Sequence, residues 1–217
     1  MDTPQNTPQI VPVTPEYWDR AKRTLSRRDP VMRGIIKKYP GIALTSRGDA
    51  FGTLARAIVG QQISVKAADT VWGRVVASVK EIHPAAVVKH GPKRLAKCGL
   101  SQRKAEYFVD LAKHFSKGKL QPHLWSEMDD DEVIEVLTQV RGIGRWTSEM
   151  FLMFNLMRAD VLPLGDIGLQ RAVAEHYFEG ERVSLEQIEE LAEIWSPYRS
   201  VATWYLWRTA DPEPVLY

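Results

Sequence analysis

Residues 140–150 read VRGIGRWTSEM, and this stretch decides how the rest of the chain is interpreted. An acidic segment with helical periodicity, residues 130–139, precedes it, and an apolar segment, residues 145–157, continues from it. Gly142 and Gly144 permit a tight turn between them, because glycine tolerates positive φ and close approach of another backbone. The pattern predicts two helices joined by a hairpin, with the amides of the turn pointing outward at the start of the second helix.

Outward amides at a helix N-terminus attract anions. Val140 and Ile143 are apolar and suit the inside of the hairpin, while Arg145 and Thr147 add a cation and a hydroxyl beside a bound phosphate. A clamp that holds phosphates without base contacts binds DNA of any sequence. Any helix-turn-helix corner can use two glycines, so the hairpin alone leaves a purely structural turn open.

The remaining sequence predicts an all-α fold of about ten helices. Apolar residues recur at three- and four-residue spacing in residues 17–25, 54–59, 71–79 and 107–115, and no alternating run of strand length appears. The stretch SLEQIEELAEIW opens with a Ser-x-x-Gln capping box. Short turn signals separate these segments, which indicates compact helix-to-helix packing.

The fold is expected to begin after a tail rich in Pro, Thr and Gln. Residues 1–15 have too few apolar groups to offset the entropy of ordering and predict a flexible tail. Residues 16–217 are expected to form a single domain with two lobes. The central lobe comprises about residues 50–158, and the second lobe combines about residues 16–49 with residues 159–217.

Composition excludes several kinds of site and favours one cellular location. The 29 basic and 27 acidic residues give a formal charge of +2, so any nucleic-acid surface must come from local clustering. A single cysteine, Cys98, excludes an internal disulfide, a four-cysteine zinc site and a cysteine-held iron–sulfur cluster, and it is expected to be buried in a protein of a reducing compartment. Neither a membrane span nor a signal peptide is evident, which favours a cytoplasmic protein, nucleoid-associated if bacterial.

Four stretches in order resemble the helix-hairpin-helix DNA glycosylase superfamily, in particular its 3-methyladenine DNA glycosylase II branch. They are RAIVGQQISVKAA, GLSQRKAEYFVDLA, VRGIGRWTSEMFLM with the following DVLPLGDIGLQRAV, and SPYRSVATWYLWR, and the likeness runs from about Asp49 to Arg208. It implies a base-excision repair enzyme that flips alkylated purines, such as 3-methyladenine and 7-methylguanine, out of double-stranded DNA and hydrolyses the N-glycosidic bond. The expected protein is a monomer that requires no cofactor.

Two other functions remain open at this point. One is a non-catalytic DNA-binding protein that uses the hairpin only as a phosphate clamp. The other is a glycosylase of the same fold that acts on oxidised or mismatched bases.

The resemblance places the essential carboxylate at Asp166. Asp160 is a rival that stands six residues earlier, before VLP. Asp166 also suits the N-cap of a helix beginning at IGLQRAV, and the two roles are compatible because a capping aspartate is held ionised beside the helix dipole.

The resemblance also implies an aromatic pocket for the flipped base. Relatives that cut the strand carry a lysine nucleophile where this chain has Trp146, which implies a monofunctional enzyme that leaves an abasic site. Trp146 and Trp207 are expected to line the pocket, with Tyr205 as a weaker candidate. Core packing is the alternative for each of these aromatic residues.

Contacts with the DNA backbone are implied for the residues of the hairpin and one lysine: Gly142, Gly144, Arg145, Thr147 and Lys104. The main-chain carbonyls of Thr138, Val140 and Gly142 are implied to hold a Na⁺ or K⁺ ion. Gln62, together with Gln61, is expected to fill the gap that the flipped base leaves in the duplex. The alternative is that both glutamines cap a helix end after Gly60.

Overall fold

The computed structural model describes residues 14–46 and 49–210, and the all-α prediction is confirmed there. Residues 1–13 of the predicted tail lie outside the described residues. The described residues form twelve α-helices: α1 (Trp18–Arg28), α2 (Pro30–Lys38), α3 (Ala50–Gly60), α4 (Val65–Val79), α5 (Pro84–His90), α6 (Pro92–Ala96), α7 (Gln102–Ser116), α8 (Asp130–Thr138), α9 (Arg145–Phe154), α10 (Ile167–Tyr177), α11 (Leu185–Ala192) and α12 (Arg199–Ala210). Short 3₁₀ turns occupy Pro122–Leu124 and Glu193–Trp195.

The helix count exceeds the predicted number of about ten because short helices carry little periodicity. The α5 helix has 7 residues and α6 has 5. Two turns or fewer show too few apolar repeats to be recognised from spacing. Each of these helices begins with a proline, whose fixed φ suits the first helical position.

Two groups of helices pack among themselves. The α7 helix contacts α3, α5 and α6, while α9 contacts α3 and α8. The α12 helix contacts α1, α2 and α10. One continuous cluster of buried apolar side chains runs through both groups, so the division into two lobes at the stated boundaries stays a prediction.

Helix starts follow the local chemistry of the sequence. The predicted capping box of α11 is present, with Ser184 and Gln187 bonding each other's backbone amides. A second capping box, between Asp129 and Glu132, begins α8. The α9 helix differs, since its N-cap is Gly144 and no side chain caps it. The first backbone N–H groups of α9 therefore have no side-chain cap and are available to another acceptor.

Two further expectations concern burial. Cys98 is a free, buried thiol, as predicted. Among the described residues, no helix has both the length and the apolar character needed to cross a bilayer.

Candidate active site

The two glycines of the hairpin have different structural roles. Gly142 has φ +88°, and a Cβ there would lie 2.1 Å from the Cδ2 atom of Tyr107, so the fold demands glycine at this position. Gly144 has φ −104°, and a Cβ there would meet nothing within 4 Å. The expectation that the turn depends on positive φ therefore applies to Gly142, while Gly144 leaves open space at the start of α9.

The back of the hairpin is pinned to the end of α3. The side-chain amide of Gln61 donates to the carbonyl oxygen of Gly142 at 2.8 Å. The Lys104 ammonium group donates to the carbonyl oxygens of Val59, at 2.8 Å, and Gln61, and burial lowers the pKa of Lys104. The Gln61 contact holds the hairpin to the end of α3, and the Lys104 contacts hold α7 to the same end of α3. An ammonium group has three N–H donors, so one remains, and the phosphate contact of Lys104 stays a prediction.

Of the three carbonyls predicted to hold a monovalent cation, that of Thr138 ends α8, and those of Val140 and Gly142 lie in this turn. The Val140 oxygen accepts from the amide of Ile143 at 3.1 Å, and the Gly142 oxygen accepts from Gln61. A carbonyl oxygen has two lone pairs, so each retains one for a cation. The ion itself stays a prediction, and within the described ranges no group of acidic, histidine or cysteine side chains is arranged to hold a metal.

The side chains expected to assist a phosphate at the hairpin have other surroundings. Arg145 bonds Glu149 and Asp131, each at 3.1 Å. Thr147 is only 6% exposed and borders the recess beside α9. The main-chain amides at the uncapped start of α9 are thus the groups of the turn that face an approaching anion.

Asp166 lies at the centre of the candidate site, held by three N–H donors. It caps α10, with its Oδ1 atom accepting from the amide of Leu169 at 2.7 Å. The indole of Trp207 donates to the same oxygen at 2.7 Å, and the indole of Trp146 donates to Oδ2 at 2.8 Å. Hydrogen bonds to an ionised acceptor are the strong ones, so this arrangement fixes a carboxylate in one orientation. The structure therefore brings Asp166, Trp146 and Trp207 together.

The two tryptophans differ in exposure. Trp146 is 39% exposed, and it borders a recess of about 400 Å³ between the end of α3, the start of α4 and α9. Trp207 is half-buried and stacks on Phe154, with ring centroids 6.1 Å apart. Trp146 thus connects the carboxylate to the recess, while Trp207 supports the carboxylate from inside.

Tyr205 does not belong to this group. It is 1% exposed and stacks on Trp18 at a centroid distance of 5.8 Å. Burial raises the pKa of its phenol to about 12. The predicted pocket role gives way to core packing, because Tyr205 and Trp207 stand two positions apart and project from opposite sides of α12.

The Gly-Gln-Gln turn borders the same recess. Gln61 is the C-cap of α3, as the alternative interpretation held, and its side chain is committed to the hairpin. Gln62 is exposed and has φ +58°, which is a strained value for a residue with a side chain. Ile63, next to it, is 41% exposed. Gln62 as the duplex wedge stays a prediction.

Asp160, the rival carboxylate, is occupied. It accepts from the Arg199 guanidinium at 2.7 and 2.9 Å and from the Arg199 amide at 3.0 Å. This pairing raises the pKa of Arg199. Asp160 and Arg199 therefore form a structural ion pair. Asp69, which lines the recess, is paired with Arg56 at 2.7 Å. Asp166 reaches the recess through its bond to Trp146.

Sequence reasoning missed Glu149, a third carboxylate in this region. It is 6% exposed, and burial raises its pKa while Arg145 opposes that shift. The spacing of four residues between Arg145 and Glu149 on one helix was a signal for the ion pair. The burial of Glu149 depends on tertiary packing, which the sequence did not indicate.

Comparisons with known proteins identify a family and similar folds. The family described as HhH-GPD superfamily base excision DNA repair protein matches residues 55–197. A putative DNA-3-methyladenine glycosylase of Bacillus subtilis is 29% identical over 83% of this chain, and the chain spans 66% of its length. The crystal structure of a DNA-3-methyladenine glycosidase from Bacillus halodurans superposes with a TM-score of 0.81 at 33% identity, covering 93% of each chain. A Schizosaccharomyces pombe 3-methyladenine DNA glycosylase in complex with abasic DNA has a TM-score of 0.77 at 28% identity, covering 88% of this chain and 97% of that one.

Proposed function

The chain belongs to the HhH-GPD superfamily of base excision DNA repair proteins, and from this premise we propose that it releases alkylated purines from double-stranded DNA by hydrolysing the N-glycosidic bond. The similar proteins named above as 3-methyladenine glycosylases support this substrate class. The observation that carries the proposal is the Asp166 carboxylate, fixed by two indole N–H groups, one of which belongs to Trp146 at the edge of an open recess.

The chemistry requires little more than a fixed anion. Methylation at N3 of adenine or N7 of guanine leaves the base cationic, so the electron pair of the breaking C1′–N bond neutralises the base as it departs. The sugar becomes an oxocarbenium-like cation, which Asp166 stabilises electrostatically. Water adds to C1′ and loses a proton to Asp166 or to bulk solvent. The products are a free neutral base and an abasic site.

Trp146 determines that the reaction is hydrolysis and not strand cleavage. A Schiff-base mechanism needs an amine at this position, and an indole cannot attack C1′. Its exposed face instead suits stacking against the flipped base, and a cationic ring gains roughly 0.5–2 kcal/mol over an aromatic face. The adjacent recess, about 400 Å³, falls within the size range of small-molecule sites.

A base-release assay on methylated duplex DNA tests the proposal. We expect the wild-type protein to release 3-methyladenine, and Asp166→Asn to be on the order of 10²–10³-fold slower. Circular dichroism and DNA affinity check that the variant remains folded and competent to bind. A wild-type rate of release in the Asp166→Asn variant would contradict the proposed role of this residue.

Two alternatives predict different results in the same assay. A non-catalytic clamp binds duplex DNA in a salt-dependent way and releases no base from any lesion. A glycosylase for oxidised or mismatched bases releases those bases faster than 3-methyladenine. Since the proposed mechanism uses the charge of the leaving group, we expect neutral lesions to be the poorer substrates. A cytoplasmic location and a monomeric state accompany the proposal as predictions.

A further inference from the structure

A basic groove lies between α1 and α2, outside the candidate active site. It measures about 660 Å³, and four cationic side chains line it: Lys22, Arg23, Arg27 and Arg33. Ile36 and Tyr39 contribute apolar surface to the same groove. The groove therefore combines positive charge with an apolar lining.

The positive charge of this region is concentrated and mostly uncompensated. Residues 16–39 contain eight basic and three acidic residues, whereas the whole chain has a formal charge of only +2. Lys22 pairs with Asp19 at 2.7 Å. Arg23, Arg27 and Arg33 form no ion pair with any carboxylate of the described residues. Around the hairpin the opposite holds, where Arg145 is paired twice.

The groove and the active site lie on opposite sides of α12. Tyr205 borders the groove, and Trp207 bonds Asp166. Each residue of an α-helix turns the side-chain direction by about 100°, so two positions reverse it. The groove therefore faces away from Asp166 and its two tryptophans.

We propose that the groove binds an acidic peptide segment of a partner protein, one that carries at least one large apolar side chain. Arginine clusters recognise acidic motifs through charge-assisted, forked hydrogen bonds. The apolar surface of Ile36 and Tyr39 favours a peptide over nucleic acid, because a duplex presents phosphates and sugars to a protein surface and no aliphatic or aromatic side chain.

The dimensions set the length of the segment. Lys22 and Arg27 are five residues apart on α1, which is roughly 7.5 Å along the helix axis. An extended peptide advances about 3.3 Å per residue, so about three of its residues span this length, and two of their side chains face the cationic edge. A segment with acidic residues on one side and a leucine or phenylalanine on the other matches both surfaces.

Fluorescence anisotropy with a labelled nonapeptide of alternating acidic and leucine or phenylalanine residues tests the proposal. We expect saturable binding to the wild-type protein that weakens as salt increases. The double variant Arg27→Glu, Arg33→Glu should bind at least about tenfold more weakly, and so should a peptide whose apolar residues are replaced by serine. A charge-matched control, Lys89→Glu, Lys97→Glu, alters exposed lysines elsewhere and should change peptide affinity less than about twofold.

Base release separates this inference from the proposed function. The double variant should release bases at the wild-type rate, because neither arginine contacts the recess or Asp166. Absence of saturable peptide binding, or equal binding by wild type and double variant, would overturn the inference. Preferential binding of a lesion-free duplex that the double variant loses would assign the groove to nucleic acid and overturn it as well.

Discussion

Asp29 and Asp166 share one local design and differ in their surroundings. Each caps a helix, α2 or α10, and each accepts a tryptophan indole N–H. Asp29 is 2% exposed and has four donors: two backbone amides, the hydroxyl of Tyr177 and the indole of Trp195. Asp166 is partly exposed, and its second tryptophan, Trp146, opens onto a recess. The same arrangement is buried in one place and partly exposed to solvent in the other.

The comparison shows that hydrogen bonding to a carboxylate does not by itself mark a catalytic residue. Both aspartates are fixed by strong donors, and both stabilise the start of a helix. Access distinguishes them, because a fully buried anion cannot act on a sugar. Substitution of Asp29, or of the tryptophan that bonds it, should therefore lower stability. The same substitution at Asp166, or at its tryptophans, should lower activity.

The largest expected effect is on stability, from Asp29→Asn. An amide NH₂ in place of one oxygen leaves the buried Tyr177 hydroxyl or the Trp195 indole without an acceptor. We expect the free energy of unfolding to fall by about 3 kcal/mol, which corresponds to a decrease in Tm of roughly 6–12 °C for a chain of this length. Urea or thermal unfolding measures it.

Asp166→Asn is the matched control for that measurement. It should cost under about 1 kcal/mol of stability, since its cluster is open to water, which can replace a lost partner. Base release per folded molecule should survive in Asp29→Asn. Similar Tm values for the two variants would remove the distinction between a sealed and an accessible cluster.

The second effect concerns the indoles that hold each carboxylate. Trp146→Phe and Trp207→Phe each keep an aromatic ring and remove one N–H donor to Asp166. We expect about tenfold slower base release from each, equivalent to roughly 1.4 kcal/mol of transition-state stabilisation. Single-turnover rates on methylated DNA report this loss.

Trp195→Phe provides the corresponding change at Asp29. It should lower Tm and leave the single-turnover rate of the folded protein unchanged. A loss of activity in Trp195→Phe as large as in Trp146→Phe would mean that the two clusters are not functionally distinct.

The sequence predicted most of the helices, the hairpin and the helix cap at Asp166, because spacing and residue type record helix faces, turns and caps. The catalytic role of Asp166 came from the family resemblance and stays a prediction. The sequence did not predict which side chains the tertiary structure would occupy. Besides the DNA contacts expected of them, Gln61 bonds the hairpin to the end of α3, and Lys104 bonds α7 to the same place. No sequence rule shows that the carbonyls at the end of one helix lie within reach of a lysine 45 positions away along the chain.

The contacts of the aromatic residues were also not predictable from the sequence. Tyr205 and Trp207 were assigned to one pocket on the basis of a motif, although helical geometry places them on opposite sides of α12. Asp29 attracted no attention in the sequence, since a lone aspartate before a proline indicates only a helix start. Its role depends on Tyr177 and Trp195, which are distant in the chain and meet it in the fold.

The third effect, smaller, comes from crowding at the first turn of α10. A Cβ on Gly168 would lie 3.0 Å from Oδ1 of Asp166 and 3.3 Å from the Trp207 ring, so Gly168→Ala must displace one of them by a few tenths of an ångström. We expect base release to slow by about three- to fivefold, or roughly 0.6–1 kcal/mol. The gain in helix propensity offsets part of the steric cost in stability.

Gly73→Ala in α4 separates propensity from crowding. A Cβ there meets nothing within 4 Å, so this variant should gain stability by up to about 1 kcal/mol and keep full activity. Gly168→Ala with unchanged activity would show that the contact between Asp166 and Trp207 tolerates displacement, and that the accessible cluster is less rigid than the sealed one.

The smallest effect tests Glu149, a carboxylate that is nearly as buried as Asp29 but lacks its set of donors. Burial raises the pKa of Glu149, and its bond to Arg145 opposes the shift without reversing it. A raised pKa in the folded state favours the protonated form, so this group contributes stability below its unfolded pKa and loses it as pH rises through the folded value. Glu149→Gln removes that loss. We therefore compare the Tm of the variant with the Tm of the wild type. The variant's Tm should gain on the wild-type Tm as pH rises above 4.5, the ordinary pKa of a glutamate. The gain should be about 2 °C, which corresponds to under ~1 kcal/mol in the free energy of unfolding. A difference that instead decreases over this range would mean that the ion pair with Arg145 outweighs burial, and that Glu149 resembles Asp29 in being held as a stabilised anion.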